Sequence, residues 1–211
     1  VTDEQLHYYR LRAGEYDATA FGDVAAASER IARIVGAMRP AGRVLEIACG
    51  TGMWTSALAA AADSVTAIDA APEALAIARD RVRAENVRFE VADVFTYRPG
   101  VRFDTIFFSA WLSHVPAARF GEFWAALGGL LAGGGRVLFV DEPVSERAKE
   151  TYISDEVVER HLRDGRAFRV VKNFIDPGDL VVRLRRLGWE CTMTRDDDAW
   201  TWVCGSARQV K

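Results

Sequence analysis

The stretch VLEIACGTGMW, Val44 to Trp54, decides the fold. An apolar run carrying a single carboxylate, Glu46, ends in two glycines one residue apart, Gly50 and Gly52. The run reads as a buried strand. The glycines permit a turn with positive φ and a close approach of backbone to ligand. The following segment, MWTSALAAAA, reads as a helix, whose free N–H groups would face the loop. Strand, tight loop and helix form the opening unit of an α/β sheet that binds its ligand outside the carboxyl ends of the strands.

The same alternation continues downstream. SVTAID, PEALAIARDRVRA, VRFEVAD, FDTIFFSA, RFGEFWAALGGLLA and GRVLFVDE alternate strand and helix, with one loop after VRFEVAD. Strands that are apolar throughout imply a mostly parallel sheet covered on both faces. Upstream, residues 3–12 read as a short helix and 24–38 as a longer one, with Asp23 as N-cap and Ile31, Ile34, Val35 and Met38 at helical spacing. Pro40 and Gly42 are expected to end it. The pattern changes after about residue 145: two strands flank Asp164-Gly165, a hairpin signal, over about 157–173. A helix at 177–187 and an antiparallel pair, WECTMT and AWTWVCGSA, close the chain. The expected fold is α/β: a doubly wound, Rossmann-like, seven-stranded, mostly parallel sheet with an antiparallel C-terminal hairpin, N-terminal helices and an inserted β-hairpin. We expect a single domain over 1–211, with a helical cap (1–40), a cofactor-binding core (41–144), an insertion covering the substrate (145–176) and a C-terminal helix and strands (177–211).

Composition narrows the function classes. Half of the 211 residues are hydrophobic and 27% are charged, with a net charge of −3, so neither disorder nor a basic nucleic-acid groove is indicated. Cys49, Cys191 and Cys204 are too few and too scattered for a disulfide framework or a zinc site, and no metal is expected. SALAAAADSVTAIDAA is alanine-rich and interrupted by Asp63, which argues against a membrane span. No secretory leader is read in the first residues, and the cytoplasm is the expected location.

Three acids fall at three successive strand ends: Glu46, Asp69 and Asp93. A carboxylate at the second strand end can accept from both hydroxyls of a ribose. Asp93 could accept from an adenine amino group, with the Val94 N–H meeting a ring nitrogen. Taken singly, each acid also reads as a turn or helix cap. A dinucleotide fingerprint would place a third glycine at Thr55, and Glu46 would repel a pyrophosphate; both count against a nicotinamide cofactor.

VLEIACGTG, Asp69, VADVF and FDTIFFSAWLSHVP together resemble the class I S-adenosylmethionine-dependent methyltransferases. The resemblance covers nearly the whole chain and is strongest over 44–141. It implies S-adenosylmethionine as cofactor and S-adenosylhomocysteine as product. It makes Glu46 a partner, direct or through water, of the methionine amino group, with Ala48, Cys49, Gly50 and Gly52 around that moiety. Ala48 stands where the family usually has its first glycine. Asp69 would hold the ribose, Ala70 pack on the adenine, Asp93 and Val94 read its edge, and Ser109 and Ala110 touch the amino-acid part. The pattern YD-x-x-A, Tyr16 to Ala20, resembles a segment lying over the cofactor, and Tyr16 is expected to cap the methionine carboxylate. Trp54 is expected beside the cofactor or in the core.

A sulfonium methyl is already electrophilic, so the protein's main task is to hold a nucleophile in line. The segment SAWLSHVP should meet the methyl. His114 is the candidate base, one of three histidines, with a structural role as the alternative. Tyr8, Tyr9, Arg12, Trp111, His114 and Glu142 are the candidate substrate-pocket residues. The motif (D/N)PP(Y/F), typical of amino methylation on nucleobases or glutamine, is missing where SAWL stands. The expected function is O- or N-methylation of a small-molecule acceptor by in-line displacement, with no nucleic-acid or membrane partner and a homodimer left open. The alternatives are a nucleic-acid or protein methyltransferase and a non-catalytic cofactor-binding scaffold.

Overall fold

A computed structural model describes residues 2–196 and 202–210. The chain begins with α1 (Asp3–Arg12), a single 3-10 turn, and a short helix α2 (Tyr16–Ala20). Helix α3 (Val24–Met38) follows, its first turn capped by the Asp23 carboxylate accepting from Ala25 and Ala26 N–H. Then come β1 (Arg43–Ile47), α4 (Thr55–Ala61), β2 (Ser64–Asp69), α5 (Pro72–Arg81), β3 (Val87–Val91), β4 (Phe103–Ser109), α6 (Phe120–Leu130) and β5 (Leu131–Asp141). A separate two-stranded hairpin, β6 (Val157–His161) and β7 (Ala167–Val171), precedes α7 (Pro177–Arg186), β8 (Trp189–Asp196) and β9 (Trp202–Gln209).

The main sheet has the order β3-β2-β1-β4-β5-β9-β8, with β9 antiparallel to both its neighbours and the other pairings parallel. Strand order reverses between β1 and β4, so the loop after β1 and the turn after β4 open the sheet's crevice side by side. The twofold alternation of the strands builds two cores. Leu45, Ile47, Ile106, Phe108, Val137 and Phe139 pack under α6 and α7, while Val44, Phe107, Leu138 and Val140 pack under α3 and α4.

The expected fold class stands, and several boundaries move. Helix α3 ends on Arg39, which takes the left-handed conformation (φ 53°), rather than on Pro40 or Gly42. Strand β5 starts at Leu131, four residues before the expected GRVLFVDE: Leu131 pairs with Phe103, and the glycine run, with Gly134 left-handed (φ 79°), carries a register shift before Arg136 pairs with Thr105. YDATA forms the short helix α2. The expected strand AWTWVCGSA starts outside the described residues; from Trp202 it is β9. Among the described residues no helix is long and apolar enough to cross a membrane.

Candidate active site

The loop after β1 turns through three left-handed residues, Ala48 (φ 52°), Gly50 (φ 55°) and Gly52 (φ 80°). At Gly52 a side chain would lie 3.1 Å from the Ala78 Cβ and 3.2 Å from its Cα, so α5 packs directly on the loop. Ala48 adopts the glycine conformation with a methyl group present, at a cost of about 1 kcal/mol. Ala110, closing the turn after β4, does the same (φ 46°).

Two of the three acids are sunk beneath this loop. Burial pushes the Glu46 carboxyl up to about 8, although the Thr55 hydroxyl donates to it at 2.6 Å. Asp69 ends β2 and spans the crevice: its Oδ2 accepts from Gly50 N–H at 2.9 Å and its Oδ1 from Ala71 N–H at 2.8 Å. Burial raises its pKa, against those backbone hydrogen bonds. Each oxygen keeps a further lone pair for a ligand hydroxyl. Asp93 lies two residues past β3, with its Oδ1 accepting from Phe95 N–H at 2.9 Å.

These groups border one cavity at the carboxyl ends of the strands. Gly50, Asp69, Ala70, Asp93, Val94, Ser109 and Ala110 line it, with Ala48 at its floor. Tyr9, Tyr16, Trp111 and His114 close its other end. An adjoining cavity takes in Cys49 and Trp54 on one side and Glu142 on the other, sharing Tyr16, Ala48, Gly50 and Ser109 with the first. Four expected residues line neither: Glu46 and Gly52 support the loop from behind. Tyr8 is buried beneath the hairpin with Val158, Leu162 and Val170, and Arg12 lies over the rings of Tyr8 and Tyr16. Trp54 borders the second cavity and packs on Phe107 in the core.

Sequence reasoning missed the walls. Leu6, Ala13, Ala71, Ala74 and Ala92 line the cavity, small or apolar residues whose contribution is shape alone. It also missed Thr51, between the two glycines, and Lys172 on the chain leaving β7. Lys172 had a signal: one of three lysines, it directly follows the apolar pair Val170-Val171.

The end closed by Tyr9 and His114 is a hydrogen-bonded assembly of α1, the hairpin and strand ends. His114 is 7% exposed; its Nδ1 lies 2.6 Å from the Val171 carbonyl and its Nε2 2.9 Å from the Tyr9 hydroxyl. A carbonyl only accepts, so Nδ1 carries the proton and Tyr9 donates to Nε2. Burial, then the positive charges of Lys172, Arg160 and Arg12, holds His114 well below its ordinary pKa. Burial likewise raises the Tyr9 phenol, and lifts that of Tyr16 to about 12. The buried Lys172 ammonium pairs with Glu142 and donates to the Ser113 hydroxyl at 3.1 Å. Burial would raise Glu142, but Lys172 outweighs it and leaves the carboxyl below its usual value. Asp141, raised by burial, accepts from Ser113 N–H at 3.0 Å and Glu142 N–H at 2.8 Å. Arg160 pairs with Glu150, and its Nε is buried without a hydrogen-bond partner.

A family model described as a methyltransferase domain matches residues 44–135. The structure of DhpI in complex with SAH superimposes with a TM-score of 0.84 at 39% identity, covering 99% of this chain and 96% of that one. A DhpI complex with SAM and HEP gives the same TM-score and identity, covering 98% and 96%. The ubiquinone biosynthesis O-methyltransferase of Xanthomonas euvesicatoria is 31% identical over 152 residues, 69% of this chain; the match spans 62% of that relative's length. The chain belongs to the class I S-adenosylmethionine-dependent methyltransferases, and S-adenosylmethionine is its cofactor. The cavity fits that group: a carboxylate at the second strand end with lone pairs to spare, backbone bared at Gly50, and apolar walls at Ile68 and Val94.

Proposed function

We propose that this protein methylates an oxygen of a small acceptor that arrives already ionised. The observation that carries this reading is that both ring nitrogens of the buried His114 are already engaged, Nδ1 by the Val171 carbonyl and Nε2 by the Tyr9 hydroxyl, while burial first and then the charges of Lys172, Arg160 and Arg12 disfavour its protonated form. A site that depresses its histidine is poorly suited to take up a proton, while the same cations favour a bound oxyanion. Arg160, its Nε buried without a hydrogen-bond partner, lines neither cavity and adds its charge from outside their walls. The O-methyltransferase name of the Xanthomonas relative supports oxygen as the methylated atom.

In this reading Asp69 holds the ribose hydroxyls, Asp93 and Val94 read the adenine edge, and Ala70 packs on its face. Backbone at Ala48, Cys49, Gly50 and Gly52, with Ser109 and Ala110, surrounds the methionine part, Tyr16 covers it, and Glu46 balances its ammonium. Trp54 walls the second cavity beside it. The cofactor supplies an electrophilic sulfonium methyl. The chain's own task is then alignment and exclusion of water: Tyr9, Trp111 and His114 close the space in front of the methyl, and the cation group fixes the acceptor's charge. Glu142 holds Lys172 in place, while Tyr8 and Arg12 support the cap from behind.

A second reading is favoured by the 2.9 Å Tyr9–His114 contact. A neutral hydroxyl acceptor would pass its proton to the Tyr9 oxygen as Tyr9 passes its own to His114 Nε2, making His114 the base. Incubation with methyl-labelled S-adenosylmethionine and a panel of small carboxylates, phosphonates, phosphate esters, alcohols and amines separates the two. We expect methyl esters of an oxyanion. In Lys172→Met we expect the acceptor KM to rise at least tenfold with S-adenosylhomocysteine affinity unchanged, an effect consistent with losing a charged hydrogen bond. Turnover confined to alcohols or amines would overturn the oxyanion reading.

A further inference from the structure

We propose that Asp17 and Arg81 are positioning residues that set the glycine loop through Thr51 and so govern how fast cofactor and product exchange. Thr51 lies between Gly50 and Gly52 and lines the cofactor cavity; Asp17 and Arg81 do not. Asp17, on α2 of the cap, uses both carboxylate oxygens. Its Oδ1 accepts from the Thr51 hydroxyl at 2.5 Å, and its Oδ2 pairs with the Arg81 guanidinium. Arg81, in the last turn of α5, uses its second nitrogen to donate to the Thr51 carbonyl. The three residues, from three elements, close a ring that returns to Thr51 through both its side chain and its main chain.

The ring fixes the peptide between Thr51 and Gly52. Arg81 holds its carbonyl, and the Gly52 N–H donates to the Cys49 carbonyl at 3.0 Å. Backbone at this loop is what the methionine part of the cofactor meets, so its orientation bears on affinity. The ring also ties the cap to the body, because Tyr16, next to Asp17, closes one end of the cavity. For a ligand to leave past Tyr16, α2 has to move and the ring has to open. The pair is largely buried, with 27% of the Arg81 side chain and 18% of that of Asp17 exposed. A second ion pair between cap and α5, Arg10–Glu73, is 46% and 44% exposed and touches no part of the loop, and an apolar cluster of Leu6, Ala13, Ala74 and Ile77 packs the two together. An exposed pair of that kind contributes little, whereas a sheltered, doubly hydrogen-bonded one holds its geometry. Opening the cap therefore releases the glycine loop in the same event.

This inference rests on the cofactor's place in the loop and not on the acceptor reading, so S-adenosylhomocysteine alone tests it. Stopped-flow exchange of S-adenosylhomocysteine would be measured on Asp17→Asn, Arg81→Gln, Arg81→Lys and Arg10→Gln. We expect Asp17→Asn and Arg81→Gln to raise the dissociation rate about tenfold or more, with the association rate changed less than threefold. Arg81→Lys should fall between Arg81→Gln and the unaltered protein, and Arg10→Gln should release at the unaltered rate. Amide exchange at residues 51–53 of the ligand-bound protein should quicken in the first two variants only. Asp17→Asn, nearly isosteric, carries the test if Arg81→Gln does not fold. Unaltered release from folded Asp17→Asn would overturn the proposal, as would equal acceleration by Arg10→Gln, which would reduce the ring to one more clamp on the cap.

Discussion

Ala48 shows how a single residue records the demands of the ligand loop. It keeps the left-handed backbone that the family usually assigns to glycine, and it lines the cofactor cavity. Relieving the clash of its methyl group should outweigh the greater unfolded-chain entropy of glycine. Ala48→Gly should therefore stabilise the protein by about 0.5–1 kcal/mol, read from denaturant midpoints at unchanged m-value. A loss of stability would show that the methyl earns more from packing than it costs in strain. The residue scale is also where the sequence was most and least informative. Asp69 and Asp93 were legible because one ends β2 and the other follows β3, whereas Glu46 lies inside β1 and behind the loop. Ala13, Ala71 and Ala74 were not legible, because an alanine that shapes a cavity has no chemistry to distinguish it from the many alanines that fill helices.

At the scale of elements, α1 and α3 lie where they were expected, and for α3 the Asp23 cap and the apolar spacing agree. Periodicity failed where glycine-rich chain joins two elements, as between α6 and β5, because glycine removes the side-chain pattern that marks a strand. The hairpin was legible from its Asp164-Gly165 turn, but not its partner. Gln5 of α1, with no exposed surface, accepts from Val171 N–H at 3.0 Å and thereby docks the cap on β7. Contacts such as this, or the ring joining α2, the glycine loop and α5, link residues far apart in sequence. Nothing local in the chain announces them, and they decide how α1 and α2 sit over the cavity.

For the molecule as a whole, the buried acids couple ligand, charge and stability. Burial raises the Glu46 pKa to about 8 and raises Asp69 and Asp141 in the same direction. In the absence of ligand, the folded protein therefore holds protons that the unfolded chain gives up. That contribution to stability is complete below the unfolded carboxyl range, and it is lost as pH rises toward and through 8. The Glu46 part should amount to a few kcal/mol on the order-of-magnitude scale, and Glu46→Gln should flatten the slope of stability against pH between 5 and 8. If Glu46 meets the cofactor's ammonium as proposed, binding at pH 7 should release close to one proton. Calorimetric heats would then depend on the ionisation enthalpy of the buffer in the unaltered protein and not in Glu46→Gln. Buffer-independent heats would place Glu46 in a purely structural role beneath the loop.

On the proposed reading the acceptor brings its own negative charge, and no side chain removes a proton during transfer. The most direct measurement is kcat/KM against pH, from 5.5 to 9, for the best oxyanion acceptor, in the unaltered protein and in His114→Gln. An acceptor already ionised throughout predicts a profile that is flat across the histidine range and keeps its shape in the variant, with a modest loss of rate from the missing Tyr9 contact. A loss of about a hundredfold or more in kcat/KM in His114→Gln would contradict it and identify His114 as the base, since an imidazole held well below its ordinary pKa leaves no limb near neutral pH.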